Sequence, residues 1–329
     1  MLKILNRDNI NELEAYLNQE IYKGFSQEVF VESLADFHII YEENGKALAR
    51  CSVWFTNTPK GKNSDNIGCI GHFEAQCQEF ANKVLEKACN TLRGNGCDFV
   101  VGPMDGNTWR RYRFVTYSDG SNPFLLEPQN SLKYPIWFED FGFKQEAQYF
   151  SKRSKIQKPI QDNDKKILDL EKRGVKLKPL DMQSLDTQLD IIYDISAVSF
   201  SNNLYYTKLD RDSFKNQYYA YKDYLVSDLI LIAFDEDEPV GFVFLIPDYN
   251  EMKSKGKVET VIAKTIAVLP DYRQIGLGNA MLSLAYSNAF KLGFEDVIVA
   301  LVYSDNVSAK LIDRDFDYNR KYTLYSKDL

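Results

Sequence analysis

At 329 residues, 44% of them hydrophobic, the chain is long enough to bury a full core and fits two ordinary domains better than one large one. Its net charge of −7, without a long basic run interleaved with aromatics, argues against a nucleic-acid partner. No stretch approaches the roughly 20 apolar residues of a membrane helix. The opening Met1-Leu2-Lys3-Ile4-Leu5-Asn6-Arg7 soon gives way to charged sequence rather than to a signal-type apolar core, so a cytoplasmic protein with no membrane partner is expected.

In chain order, residues 67–73 read as a strand. Residues 80–92 read as a helix with Phe80, Val84, Ala88 and Leu92 on one face, stopped by Gly94 and Gly96, and residues 98–102 as a further strand. The connection Glu74-Ala75-Gln76-Cys77-Gln78-Glu79 is acidic at both ends. A run of turn residues, Gly102-Pro103-Met104-Asp105-Gly106-Asn107-Thr108, leads to Trp109-Arg110-Arg111-Tyr112-Arg113, and it either lines an acceptor site or pins two halves of the molecule together. A helix at 134–143 and a strand at 145–150 follow. Cys51, Cys69, Cys77, Cys89 and Cys97 form no Cys-x-x-Cys pair and read as reduced packing thiols. His38 and His72 stand at no metal-ligand spacing, so no metal is expected.

Residues 151–174 contain no aromatic residue, are rich in Lys, Gln, Asp and Glu, and are interrupted by Pro159. A boundary near Asp164 is expected there, dividing 1–163 from 164–329. A strand at 175–179 comes next, then a helix at 185–200 with Leu189, Ile192, Ala197 and Phe200 at helical spacing, and a Tyr-rich helix at 212–225. Residues 229–234 and 240–246 form a hairpin across Asp235-Glu236-Asp237-Glu238-Pro239. After a charged loop through Lys257, residues 260–269 read as a strand ending at Pro270. Asp271-Tyr272-Arg273-Gln274-Ile275-Gly276-Leu277-Gly278 then opens a helix whose apolar face is Met281, Leu284, Ala285, Ala289 and Leu292, stopped by Gly293. A strand at 296–303, a short helix at 307–315 and a closing strand at 320–327 complete the chain. The end of this order matches the first half at an offset of roughly two hundred residues, which implies two copies of one fold.

Arg273-x-x-Gly276-x-Gly278 lies between a strand and a helix. Glycines there admit positive φ and close approach of a ligand to the backbone. The free amides and the positive end of the helix dipole then make a pyrophosphate site, with Arg273 as a charged donor. A dinucleotide fingerprint fails because Met281 stands at its last position, and a Walker loop fails because Asn279-Ala280 follow Gly278.

What remains, Arg-x-x-Gly-x-Gly after a strand ending in Val268-Leu269-Pro270, resembles the pyrophosphate loop of the GNAT superfamily of N-acetyltransferases. The resemblance implies a mixed α/β fold of two GNAT-like domains, each a mostly antiparallel twisted sheet flanked by helices. Its cofactor would be acetyl-CoA, held only by the second domain. Ile266, Ala267 and Val268 would bond the pantetheine arm through their backbone, and Arg273, Gln274, Ile275, Gly276, Leu277, Gly278 and Asn279 would hold the pyrophosphate. Asn306 and Ser308 would complete the cofactor site, Asn306 serving equally well as a helix N-cap.

The pattern also departs from the family. Where a tyrosine acid is usual the chain has Asp313, so Tyr303, Tyr318, Tyr322 and Tyr325 stand as substitutes, and the place of a glutamate base is taken by Ile262, with Glu259 and Lys264 nearby. The catalytic groups are therefore left unassigned. Tyr205, Tyr206, Tyr218, Tyr219, Tyr221 and Tyr224 read either as core or as the wall of an acceptor pocket. The reading is an N-acyltransferase acting on the amine of a small molecule or peptide, met between the strand ending at Leu269 and the strand at 296–303, with an amide near Val268 facing the oxyanion. A non-catalytic acyl-CoA sensor and an aminoacyl or peptidyl transferase are the alternatives.

Overall fold

The computed structural model of the chain describes residues 1–61, 66–156, 167–273, 275–305 and 319–329. The first half runs β1 (Leu2–Leu5), α1 (Gln27–Glu32), β2 (Phe37–Glu43), β3 (Lys46–Trp54), β4 (Ile67–Ala75), α2 (Gln78–Gly94), β5 (Phe99–Gly102), β6 (Phe114–Ser118), α3 (Lys133–Asp140) and β7 (Lys144–Lys155). The second half runs β8 (Val175–Pro179), α4 (Leu185–Ser199), α5 (Arg211–Tyr219), β9 (Ile230–Asp235), β10 (Glu238–Pro247), α6 (Asn250–Lys255), β11 (Thr260–Val268), α7 (Leu277–Lys291), β12 (Asp296–Tyr303) and β13 (Arg320–Asp328). The boundary near Asp164 and the helix at 307–315 lie outside the described residues. No helix among the described residues is long and apolar enough to cross a membrane.

The strands join one sheet in the order β1-β2-β3-β4-β5-β13-β7-β12-β11-β10-β9-β8, with β6 beside β13. Neighbours are antiparallel except β4 with β5 and β11 with β12. The pattern is therefore the same read from either end, and the repeat expected from the sequence is present. Its centre is an exchange. The last strand of the chain, β13, lies between β5 and β7 of the first half, and β7 in turn pairs with β12 of the second. Tyr322, Leu324 and Tyr325 on β13 are fully buried there, and removing each from water contributes about 1.5–3 kcal/mol.

Each half carries helices on both faces. In the second half Leu189, Ile192, Tyr193 and Ile195 of α4 and Phe214 of α5 pack on Ile232, Phe242 and Phe244. Leu277, Ala280, Met281, Ala285 and Ala289 of α7 cover Leu231, Val243 and Val261 on the other face. Small residues on that stripe let α7 lie close to the sheet; Leu292, expected on it, is exposed because the helix has ended. The expected helix at 212–225 stops at Tyr219 and continues only as a 3-10 turn at Lys222–Tyr224. The expected charged loop before Lys257 holds a short helix, α6, which ends at Gly256.

Candidate functional site

The site begins where β11 and β12 part. Their parallel pairing covers only Thr260–Ala263 against Asp296–Val299. Two features separate the strands beyond it. The β10–β11 register jumps from Leu245 opposite Ala263 to Phe244 opposite Thr265, leaving Lys264 as a bulge, and bulges bend the strand that carries them. On β12, Leu301 takes φ +58° and the pairing with β7, continuous from Asp296, shifts register between Val299 and Val302, after which Val302 and Tyr303 face Phe150 and Tyr149. Ile266, Ala267 and Val268 thus pair with β10 on one side and have no strand on the other among the described residues.

The freed strand runs into the glycine turn. A 3-10 turn at Pro270–Tyr272 is fastened by the Tyr272 hydroxyl, which donates to Asp235 at 2.7 Å. Gly276 is the N-cap of α7 with φ +83°, a conformation that costs an L-residue about 1 kcal/mol or more. Gly278 follows on the first turn, where a Cβ would lie 3.4 Å from Ile266 and 3.9 Å from Val268. Among the described residues no side chain caps this helix, which leaves its first amides to an anion at the positive end of the dipole. Arg273 lies back along the strand end: its Nε donates to the Val268 carbonyl at 3.1 Å and Nη2 to the Ser199 carbonyl at 3.4 Å. Gln274, Asn306 and Ser308 fall outside the described residues.

Among the ionisable candidates, Lys264 stands exposed on the bulge, and desolvation by the protein around it lowers its pKa below the ordinary lysine value. Its ammonium lies 5.9 Å from the Tyr218 ring centroid, and Tyr218 packs on Phe244 and Phe214. Glu259 belongs to the far end of the strand, ion-paired with Lys255 and Lys257. Tyr322 and Tyr325 have left with β13: they bond Glu127 and Glu139 of the first half. Tyr303, at the end of β12, donates to Asp305 at 3.0 Å and packs against Tyr149. Tyr318 lies outside the described residues. The other tyrosines disperse. Tyr205 joins the core of the first half, Tyr219 bonds Asp186, and Tyr224 packs on Tyr249. A cavity of about 260 Å³ is lined by Ser151, Arg153, Asp248, Glu251 and Arg320 among others, and shares no residue with the glycine turn.

The first half has a different connection at the equivalent place. Strand β4 extends to Ala75 and α2 begins at Gln78, so only Gln76 and Cys77 join them. Glu74 is on the strand, where the Tyr134 hydroxyl donates to it at 2.6 Å, and Glu79 occupies the first turn of α2. A short link with two carboxylates repels a pyrophosphate. The Trp-Arg loop links the halves: Trp109 Nε1 donates to the Thr207 carbonyl at 2.7 Å and its ring packs on Tyr206 and Phe214, while Arg113 donates to the Leu301 carbonyl at 3.3 Å. Of the lining and pinning roles that the sequence offered for this loop, these contacts bear on the second.

Residues 190–316 match the profile of the Acetyltransferase (GNAT) family. No curated protein matches the chain. Among solved structures, a GCN5-related glucosamine N-acetyltransferase region of a fungal multi-domain GH3 beta-N-acetylglucosaminidase superposes with a TM-score of 0.56 at 12% identity, over 99% of this chain and 38% of that one. A GCN5-related N-acetyltransferase from Sphaerobacter thermophilus gives 0.52 at 11% identity, over 88% and 80% of the two chains. A tandem GNAT protein from the clavulanic acid biosynthesis pathway gives 0.53 at 9% identity, over 100% and 98%. At such identities the likeness is one of fold, and this chain spans well under half of the fungal protein. The family match over residues 190–316, the repeat of the same strand pattern in the first half and the full-length likeness in fold to a tandem protein agree: the second half carries a GNAT-family match, and the whole chain shares the fold of a tandem GNAT protein.

Proposed function

We propose that the protein transfers an acetyl group from acetyl-CoA to the amine of a small molecule or peptide, with the cofactor held by the second of two units divided near Asp164. One observation carries this reading: a strand edge freed from its neighbour at Lys264 leads directly into a left-handed glycine and the uncapped start of α7. A pantetheine arm needs such an edge, and a pyrophosphate needs such amides. Ile266, Ala267 and Val268 would take the arm; Arg273, Gln274, Ile275, Gly276, Leu277, Gly278 and Asn279 the pyrophosphate, with Asn306 and Ser308 beside them. Bound acetyl-CoA supplies an electrophilic thioester carbonyl. The chain supplies orientation, an amide near Val268 for the developing oxyanion, and at Lys264 a desolvated amine that takes up a proton at Nζ directly or through water.

Calorimetric titration with acetyl-CoA of the native protein and of Gly276→Val tests the site. The variant is expected to lose at least about tenfold in affinity. Equal affinities would remove this turn as the cofactor site. A second reading, an acyl-CoA sensor without turnover, is favoured by the withdrawal of Tyr322 and Tyr325 into the first half. Acetyl-CoA consumption across polyamines, amino acids, aminoglycosides and peptides separates the two.

A further inference from the structure

The first half carries its own bulge at the position equivalent to Lys264. The β3–β4 register passes from Arg50 opposite Glu74 to Ser52 opposite Gly71, and His72, at φ +46°, occupies the step. The space beside it is filled by the Trp-Arg loop: a Cβ on Gly71 would lie 2.5 Å from the Met104 carbonyl oxygen, and the His72 amide donates to Asp105 at 2.7 Å. What is left is a cavity of about 100 Å³.

Four cationic side chains, Lys23, Arg50, Arg111 and Arg113, line it against two carboxylates, Glu74 and Asp105. The arginines are bonded to backbone carbonyls instead of acids. Arg50 donates to those of Ile21 and His72, Arg111 to that of Gln129, and Arg113 to that of Leu301. None of the three forms an ion pair among the described residues. Arg113 is 8% exposed, held between Tyr112 and Tyr149 at 3.8 and 4.1 Å from their ring centroids, and its buried Nε has no partner among the described residues. Glu74 accepts from the Tyr134 hydroxyl, and Asp105, which accepts from the His72 amide, also attracts Arg111 and Arg50 electrostatically.

We infer that this cavity is a binding site for a small oxyanion, a carboxylate or phosphate group, held by Arg113, Arg111 and Arg50. Guanidinium forks match the planar edge of either group, and the cavity admits a group of that size rather than a nucleotide. The site is independent of the proposed cofactor turn and stands whether or not that turn holds acetyl-CoA. Arg113 also bonds Leu301 on β12, so an occupant would be read by the strand that borders the opposite cleft.

The chain has only two histidines, so imidazole NMR signals report on the cavity with little overlap. Histidine-labelled full-length protein is titrated separately with inorganic phosphate and with acetate, sodium chloride holding ionic strength constant. A saturable shift of the His72 signal below about 10 mM is expected from one of them, and which one tells phosphate from carboxylate. Arg111→Gln, at an exposed position, is expected to weaken that binding about tenfold with an unchanged circular dichroism spectrum, and Arg113→Lys likewise. Gly276→Val is expected to leave it unaltered. The absence of a saturable His72 shift with both anions, or full affinity in both arginine variants, would overturn the inference.

Discussion

The hydroxyl of Tyr322, on the last strand of the chain, donates at 2.6 Å to Glu127 of the first half, 195 residues earlier. Arg320 Nε reaches the same carboxylate at 3.1 Å. These contacts tie the end of the second half into the centre of the first. Tyr322→Phe is therefore expected to cost about 1–2 kcal/mol, because the buried Glu127 loses a donor. Deleting residues 320–329 is expected to abolish the cooperative melting of the whole chain, followed by circular dichroism. A truncated chain whose first half keeps native-like melting would contradict the exchange as a stabilising element.

Glu251 accepts from Arg153 at 3.0 Å, Lys255 at 2.9 Å, Thr260 Oγ1 at 2.7 Å and two backbone amides. Burial alone raises its pKa, but the bonds from Lys255, Thr260 and the Glu259 amide outweigh it and hold the carboxyl at about 2. A depressed carboxyl pKa contributes stability that is present above the unfolded value and is lost as pH falls through the folded one. Glu251→Gln is expected to destabilise by on the order of 2–3 kcal/mol at pH 7. That difference should shrink between about pH 4.5 and 2, as denaturant titrations at stepped pH would show.

Lys264 has the opposite sign. Desolvation lowers its pKa, so the charged form is penalised in the folded state below that pKa, and the penalty disappears as pH rises toward the ordinary lysine value. Lys264→Met is expected to raise the melting temperature at pH 7, with a smaller gain at pH 10. If Lys264 accepts a proton in the reaction, the same variant loses acetyl transfer while keeping acetyl-CoA affinity, and a parallel loss of both would assign it to binding instead.

Trp109 separates the packing and hydrogen-bonding parts of the link between the halves. Trp109→Phe keeps ring contact with Tyr206 and Phe214 but loses the bond to Thr207, and about 1 kcal/mol is expected. Trp109→Ala removes both, for about 3–5 kcal/mol. Similar unfolding midpoints for the two variants would show that ring packing contributes little.

The elements of the second half were legible because hydrophobic period is a local property: β8, β12 and the start of α4 lie where the spacing put them. The glycine turn was legible for a related reason. Positive φ at Gly276 and the close approach of Gly278 to Ile266 are demands that a few adjacent residues meet alone. Other features had no local signature. The strands β1 to β3 pass through 66 residues in which no element was read, and the bulges at Lys264 and His72 exist only as a mismatch between paired strands.

By itself, then, the sequence determined the repeat, the fold class and a backbone turn suited to a phosphate pair. The tertiary structure alone decided where β7 and β13 go. Alternation of apolar residues tells a strand which face to bury, but hydrogen bonding along its edges is the same for any partner, so Tyr149 could flank β12 and Tyr322 leave it without any change in pattern. That choice of neighbour removed two candidate acids from the proposed cofactor cleft and set Arg113 between the two halves, where it donates to the Leu301 carbonyl.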